Sequence, residues 1–470
     1  MRSTLKIAEQ APALPSEDEL RELENLYCSH GDTVHYTDKP KFFEGCEGSF
    51  VYDASQTPFL DLQMWYSAVN FGYRNERLNN AAHRQLDQLP QVASQYLHRE
   101  KVELAALIAR DAEQKFGHKG RVHFNVGGSQ AIEDSLKLVR NYTGGKSLMF
   151  AFEGGYHGRT LGASAITSSY RYRRRYGHFG DRAQFIEFPY HFRGPKGMSK
   201  EEYGEACVQK FARLFESEYN GVWDPKAGKS EYAAFYVEPI QGTGGYVIPP
   251  MNFFTGIKKV LDDHGILMVV DEIQMGVYRT GKLWSIEHFG VSPDVLVFGK
   301  AITNGLNPLS GVWAREEMIN PTIFPPGSTH STFASNPMGT AVALETMKMV
   351  SEGDFGASVM EKGARFLDGL KQLEKRHKIV GDVDGLGLAL RMEICKEDGF
   401  TPDKATLDWM SDEGMKGDLV FEGKAHGLVL DVGGYHKNVI TLAPNLMISH
   451  SEIDMALNLL DQLLTRAARR

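Results

Sequence analysis

The sequence predicts an α/β fold, a mostly parallel sheet covered by helices, followed by a smaller α+β portion. The first observation is alternation. Apolar strand-like runs at 147–152, 233–237, 267–270 and 295–298 are separated by amphipathic helical stretches such as 130–141 and 254–264, the pattern of a helix-covered parallel sheet. The second is a change of character near residue 337. From there a long helix (GTAVALETMKMVSEG) leads into another (ASVMEKGARFLDGLKQLEKRH), then short strands at 387–394 and 439–442 and a final helix from Ser451. The third is composition. With 42% apolar and 24% charged residues in 470, the chain is an ordinary globular one, neither disordered nor a coiled coil.

The earlier elements follow in order. Residues 1–30 read as a polar arm and a short helix, SEDELRELENLY, with Ser16 as N-cap and Glu19 three residues on. Residues 48–62 read as two short strands around a polar turn. No internal repeat, low-complexity tract or Gly/Ser linker is visible.

Several function classes are excluded. The 52 basic and 60 acidic residues leave a net charge of −8, which argues against a nucleic-acid surface. The longest aliphatic runs, such as 266–270, fall far short of the roughly 20 residues of a membrane helix. The N-terminus shows no secretory signal. Cys28, Cys46, Cys207 and Cys395 are scattered without a C-x-x-C, so a disulfide framework and a zinc site are not expected, and a reducing cytoplasmic setting is.

Four segments carry chemistry. In VGGSQAIEDSLKLVR (126–140), Gly127, Gly128 and Ser129 lie between a strand-like HFNV and a strong helix. Small residues at a helix N-terminus offer backbone N–H groups and a positive dipole end to a phosphate. No Gly-Lys-Ser/Thr ending makes this a Walker loop. FEGGYHGRT (152–160) flanks Tyr156 and His157 with glycines; this is either a Gly-rich turn with a packed Tyr or an exposed aromatic face that lies on a planar ligand. VEPIQG (237–242) and VVDEIQMGVYRTG (269–281) follow apolar strands. Glu238 and the pair Asp271 and Glu272 are thereby expected to point toward one crevice beyond the strand ends. A buried acid there needs a cation or a protonated nitrogen. No His stands at ligand spacing among them, so no metal is expected. Lys300, in VLVFGKAITNG, ends a strongly apolar strand; it is either a desolvated amine with a lowered pKa, free for Schiff-base chemistry, or a structural lysine that snorkels or pairs with a carboxylate.

A phosphate cradle, an aromatic plate, an acid and an amine at strand ends match one cofactor, pyridoxal phosphate. The order and spacing of VGGSQAIED, GGYHGRT, VEPIQG, VVDEIQMGVYRTG, FGK and HSTFASNP resemble the class III (ornithine/GABA/ω-amino-acid type) aminotransferases of fold type I, from about residue 45 to the end. The resemblance implies a large cofactor domain (76–336) with a mostly parallel seven-stranded sheet between helices. It implies an N-terminal arm and part of the small domain over 1–75, and a small α+β domain over 337–470. Lys300 forms the Schiff base and moves the proton, and Asp271 pairs with the pyridine nitrogen. Gln274 bonds near the phenolic oxygen, Tyr156 stacks on the ring, and Gly128 and Ser129 hold the phosphate. Thr332 reaches that phosphate from the other subunit, which implies a homodimer, or a dimer of dimers, with shared active sites. Glu238 orders the site, and Arg279 holds structure.

The sequence departs from the family in three places. Thr441, in VITLAPNL, stands where many members keep an arginine for the substrate α-carboxylate. Thr243 stands where a glutamate often neutralises that arginine, so the pair is lost together, as the cost of an unpaired buried charge requires. Gln130 replaces a common Glu. Trp65 and Tyr66, in DLQMWYSAVNFGYRN, line either the substrate pocket or a dimer interface. The run Arg171, Arg173, Arg174 and Arg175 is either a solvated or intersubunit ion-pair patch, or an anion site for substrate.

The implied reaction is ping-pong transamination, moving an amino group from a primary amine or ω-amino compound to a keto acid or aldehyde. The alternative is a lyase or racemase on the same scaffold, acting on a phosphate- or phosphonate-bearing amine if the arginine run binds an anion. A noncatalytic regulatory role is disfavoured, since Lys300 and Asp271 are both present.

Overall fold

The structure, a computed structural model, describes residues 15–31, 35, 39–173, 176 and 183–470. The arm before residue 15, Arg174 and Arg175 lie outside the described residues. The helix expected after Ser16 spans Glu17–Tyr27, and Ser16 and Glu19 close the reciprocal capping box.

The large sheet has seven strands: β1 (Gly120–Asn125), β2 (Leu148–Phe152), β3 (Gln184–Ile186), β4 (Tyr232–Val237), β5 (Leu267–Asp271), β6 (Val295–Phe298) and β7 (Ser310–Arg315). Their spatial order is β1-β7-β6-β5-β4-β2-β3. The run from β3 to β6 is parallel. Only β7 is antiparallel, to both β1 and β6. Both faces of the central strands are covered, so their residues are apolar without alternation. Phe150, Phe152, Phe235, Val237, Met268 and Val270 enter one core. The residues between them, Met149, Ala151, Ala234, Tyr236 and Val269, enter the other. On that second side lies helix α1 (Gly128–Tyr142), through Ala131, Ile132 and Val139.

Helices α2 (Pro337–Ser351) and α3 (Phe355–Arg376) lead into an antiparallel sheet of β8 (Val380–Leu386), β9 (Ala389–Ile394), β10 (Asp431–Gly433) and β11 (Val439–Leu442), ordered β8-β9-β11-β10. Helix α4 (His450–Ala467) closes the chain. No described helix is long and apolar enough to cross a membrane.

A third sheet joins distant parts of the chain. Strands Gly45–Glu47, Phe50–Tyr52 and Pro58–Asp61 meet Lys424–Val429 and Leu419–Phe421. Pro58–Asp61 runs parallel to Lys424–Val429, with Asp61 opposite Val429. The residues after Asp61 and those after Val429 are thereby delivered to one place, the mouth of the site described below. Phe59 fixes the crossing. It is fully buried, and a Cβ on Gly427 would lie 1.8 Å from its ring. Phe59→Ala should cost about 3–5 kcal/mol, read as a lower denaturation midpoint in urea. An unchanged midpoint would show that this crossing contributes little to stability.

Candidate active site

Three adjacent strands end at one edge of the sheet. Asp271 closes β5, Glu238 follows β4, and Gly299 and Lys300 follow β6. An open α/β sheet presents its ligands there. Asp271 is buried, and its Oδ1 accepts from the Ile273 N–H at 3.0 Å. Its Oδ2 lies 2.8 Å from Nδ1 of His157, also buried. Burial works against the imidazolium, but the Asp271 hydrogen bond and the charges of Asp271 and Glu238 prevail and raise its pKa. The Thr167 hydroxyl accepts the His157 N–H at 2.9 Å. Burial pushes the Glu238 carboxyl up to about 7. The N–H groups of Tyr156 and Gly242, 2.8 and 2.9 Å away, oppose that shift.

Glu272 does not join this group, contrary to the sequence expectation. It accepts from the Ser285 hydroxyl and the Ile286 N–H at 2.6 and 2.8 Å, and so holds the turn that follows. Neighbours on a strand point to opposite faces, so Asp271 and Glu272 cannot both face the crevice.

Lys300 has φ +46°, a left-handed conformation that costs an L-residue about 1–3 kcal/mol and clusters at active sites. Burial lowers its ammonium pKa to about 8, against the pull of Asp271, Glu238 and Asp431.

Helix α1 begins beside it. The cap residue Gly127 makes no side-chain cap, and the first turn carries no acid. Among the described residues the N–H groups of Gly128 and Ser129 have no hydrogen-bond acceptor. Close approach requires glycine on both sides. A Cβ on Gly128 would meet Ile273 at 3.0 Å, and one on Gly158 (φ +126°) would meet Ser129 Oγ at 2.3 Å. Free N–H groups, a hydroxyl and a helix dipole form an anion cradle. A cavity of about 510 Å³ runs from this cradle past Tyr156, Gln274 and Lys300 to Trp65, Tyr66, Arg171, Asp431 and Lys437. Gln274 Nε2 donates to the Tyr246 hydroxyl at 3.2 Å. A planar, phosphate-bearing aldehyde with a basic ring nitrogen fits this donor set: cradle, aromatic face, buried acid and low-pKa amine.

Residues 33–464 match the family model for aminotransferase class-III. The chain belongs to this family. Its cofactor is pyridoxal phosphate. An alanine/serine racemase of Pyrococcus horikoshii is 31% identical, over 88% of this chain and 84% of that protein. A probable 4-aminobutyrate aminotransferase of Bacillus subtilis is 30% identical, over 88% and 91%. An (S)-enantioselective ω-transaminase structure from Thermomicrobium roseum superposes with a TM-score of 0.84 at 27% identity, covering 97% of this chain and 100% of that one. The fold-type I architecture read from the motifs is thus the one observed, and the chain is a pyridoxal-phosphate-dependent aminotransferase.

The structure distributes the remaining expected residues unevenly. Trp65 and Tyr66 line the cavity and stay partly exposed, at 56% and 40%. They sit in a turn whose residues Met64 to Ser67 all have positive φ, at roughly 1–2 kcal/mol per residue. Asp61 holds the turn by accepting the N–H groups of Gln63 and Met64, both at 2.8 Å. Arg171 lines the cavity. Arg173 does not, and donates to the Ser168 carbonyl at 2.6 Å. Arg279 is fully buried and donates to Ser67, Asn70 and the carbonyls of Leu388 and Pro444. Thr332 is exposed and outside the cavity of its own chain. Thr441 donates to Asp431 Oδ2 at 2.6 Å. Asp431, Lys437 and Tyr246 escaped the sequence reading because no motif flanks them. Acetic anhydride labelling of the cofactor-free protein should modify Lys300 with a midpoint near pH 8 rather than the ordinary 10.5. A midpoint above pH 10 would show that its amine is not desolvated.

Proposed function

We propose that this aminotransferase works by a ping-pong cycle at Lys300, taking the amino group of a small primary amine or ω-amino compound and passing it to a keto acid or aldehyde. The observation that carries the reading is that a low-pKa amine and an anion cradle line one cavity, with the buried Asp271 closing the strand beside the one that precedes Lys300. The bound cofactor supplies an electron sink for the carbon that loses its proton. Lys300 anchors the cofactor, then removes the proton from the amine-bearing carbon and returns it. Asp271, oriented by His157 and the Ile273 N–H, holds a proton on the ring nitrogen. Tyr156 covers the ring, Gln274 bonds beside the phenolic oxygen, and Gly128 and Ser129 bind the phosphate. Glu238 pins the Tyr156 and Gly242 backbone. Trp65 and Tyr66 form the substrate wall, and Arg171 meets an acceptor carboxylate.

The working unit in this reading is a homodimer in the cytoplasm, in which the partner subunit's Thr332 completes the phosphate site. Apolar exposure supports it. Phe333 is 70% exposed beside Thr332, and His330 meets Ser94 on the loop that bears Leu97, 82% exposed. Such side chains favour cover by another subunit. We divide the chain at about residues 75 and 336, with the middle portion carrying the cofactor.

Racemisation is the second reading, favoured by the identities of 31% and 30% to two racemases. Lys300 would then exchange the proton on one face of that carbon, and a second proton donor would deliver to the opposite face, since return to the same face restores the starting enantiomer. Purified enzyme mixed with an amine and no acceptor decides between them. Transamination converts the yellow form stoichiometrically to the colourless aminated form and releases one carbonyl product per site. A racemase stays yellow and exchanges the α-proton with solvent. Asp271→Asn should slow this half-reaction by several orders of magnitude, because an amide does not keep the ring nitrogen protonated. Near-normal rates would assign that role elsewhere.

A further inference from the structure

The outer half of the cavity contains a carboxylate that the reaction above does not use. Asp431 opens β10 and stands opposite Thr441 on β11. Its described hydrogen bonds come from neutral donors, the Thr441 hydroxyl at 2.6 Å and the Gln63 amide at 3.2 Å. Each carboxylate oxygen thus accepts once, while an ionised carboxylate offers about four acceptor sites. Asp431 itself lines the cavity with Lys300, Trp65 and Tyr66.

A second buried acid stands close to this carboxylate. Asp61 is buried behind the Trp65 turn; burial raises its pKa, and the charge of Asp431 adds to that shift. Four cations line the cavity, Lys300, Lys437, Arg171 and Arg159, the last stacked on the Tyr172 ring at 4.4 Å. Lys300 is committed to the cofactor in the reading above. Lys437 and Arg171 lie along the same wall; Lys437 acts on Asp431 through its charge, and the described hydrogen bonds of Asp431 come from Thr441 and Gln63. Burial raises the Asp431 pKa, and the two hydrogen bonds, Lys300 and Lys437 counter it only in part. A carboxylate placed so, oriented by neutral donors, gains most from a positive group brought in by a ligand.

We infer that Asp431 is a specificity residue that receives a second positive charge on the amino donor, so that the preferred donors are diamines or dibasic amines rather than monoamines. The reacting amine goes to the cofactor beside Lys300, and the distal ammonium or guanidinium goes to Asp431. Gln63 and Thr441 are positioning residues that aim the carboxylate. This rests on the aminotransferase reading for the direction in which the donor lies, but its test does not depend on turnover.

The test uses the holoenzyme with 1,4-diaminobutane and with butylamine, which share a carbon chain and differ in one charge. Two quantities are measured for each: the binding constant by calorimetry, and the rate of loss of the yellow form. The wild type should favour the diamine by about ten-fold or more in both, as one charge-assisted hydrogen bond implies. Asp431→Asn should remove most of that ratio, and Asp431→Glu should restore part of it. Should the Asn variant fail to fold, the wild-type ratio decides alone. A ratio near one in the wild type, or a ratio that survives in Asp431→Asn, overturns the inference. If no amine bleaches the yellow form, the aminotransferase reading fails, while the binding ratio still decides the role of Asp431.

Discussion

Burying charge at the end of a parallel sheet is the constraint on which the rest of the site depends. Asp271, Glu238 and Lys300 come from three neighbouring strands. Each would be costly alone in that environment. Together, with the His157 ring against Asp271, they offset one another. Their joint tolerance requires the three strands to end at one level. That level places Tyr156, on the segment after β2, and the opening turn of α1 around one cavity. The left-handed conformation of Lys300 belongs to the same arrangement: it follows the end of β6, where the charges of Asp271 and Glu238 act on the amine.

The outer cavity is governed by the third sheet. Its parallel pairing of Pro58–Asp61 with Lys424–Val429 brings the left-handed turn and the start of β10 together, although they are far apart in sequence. Asp61 serves both sides, capping the turn and standing near Asp431. The wall that results has a carboxylate and two cations, Arg171 and Lys437. A ping-pong enzyme must admit a donor and an acceptor of different charge to the same space, and such a wall offers a partner to each.

Much of this was legible in the sequence, for identifiable reasons. The β6 strand runs apolar until Phe298 and then meets a lysine, so both its extent and its chemistry could be read. Ser16 and Glu19 marked a helix start because the capping box is local. What escaped depends on pairing. Strand β7 runs through Gly311, required there because a Cβ would meet the Phe298 ring at 2.5 Å, and a glycine weakens the strand signal in the sequence. The turn at Met64 to Ser67 contains no glycine to announce its positive φ. Glu272 was misassigned because it was read with Asp271 as a pair, when adjacent strand residues diverge. Asp431 acquires meaning only through its register with Thr441 and its approach to Gln63.

The central claim is that Lys300, at the end of β6 and in one cavity with the α1 cradle, is the residue that carries the cofactor. Borohydride reduction of the yellow holoenzyme, followed by peptide mapping, tests it most directly. The account predicts a single pyridoxyl-modified peptide, containing Lys300. Modification confined to any other lysine, or a yellow enzyme that yields no modified peptide, would contradict it.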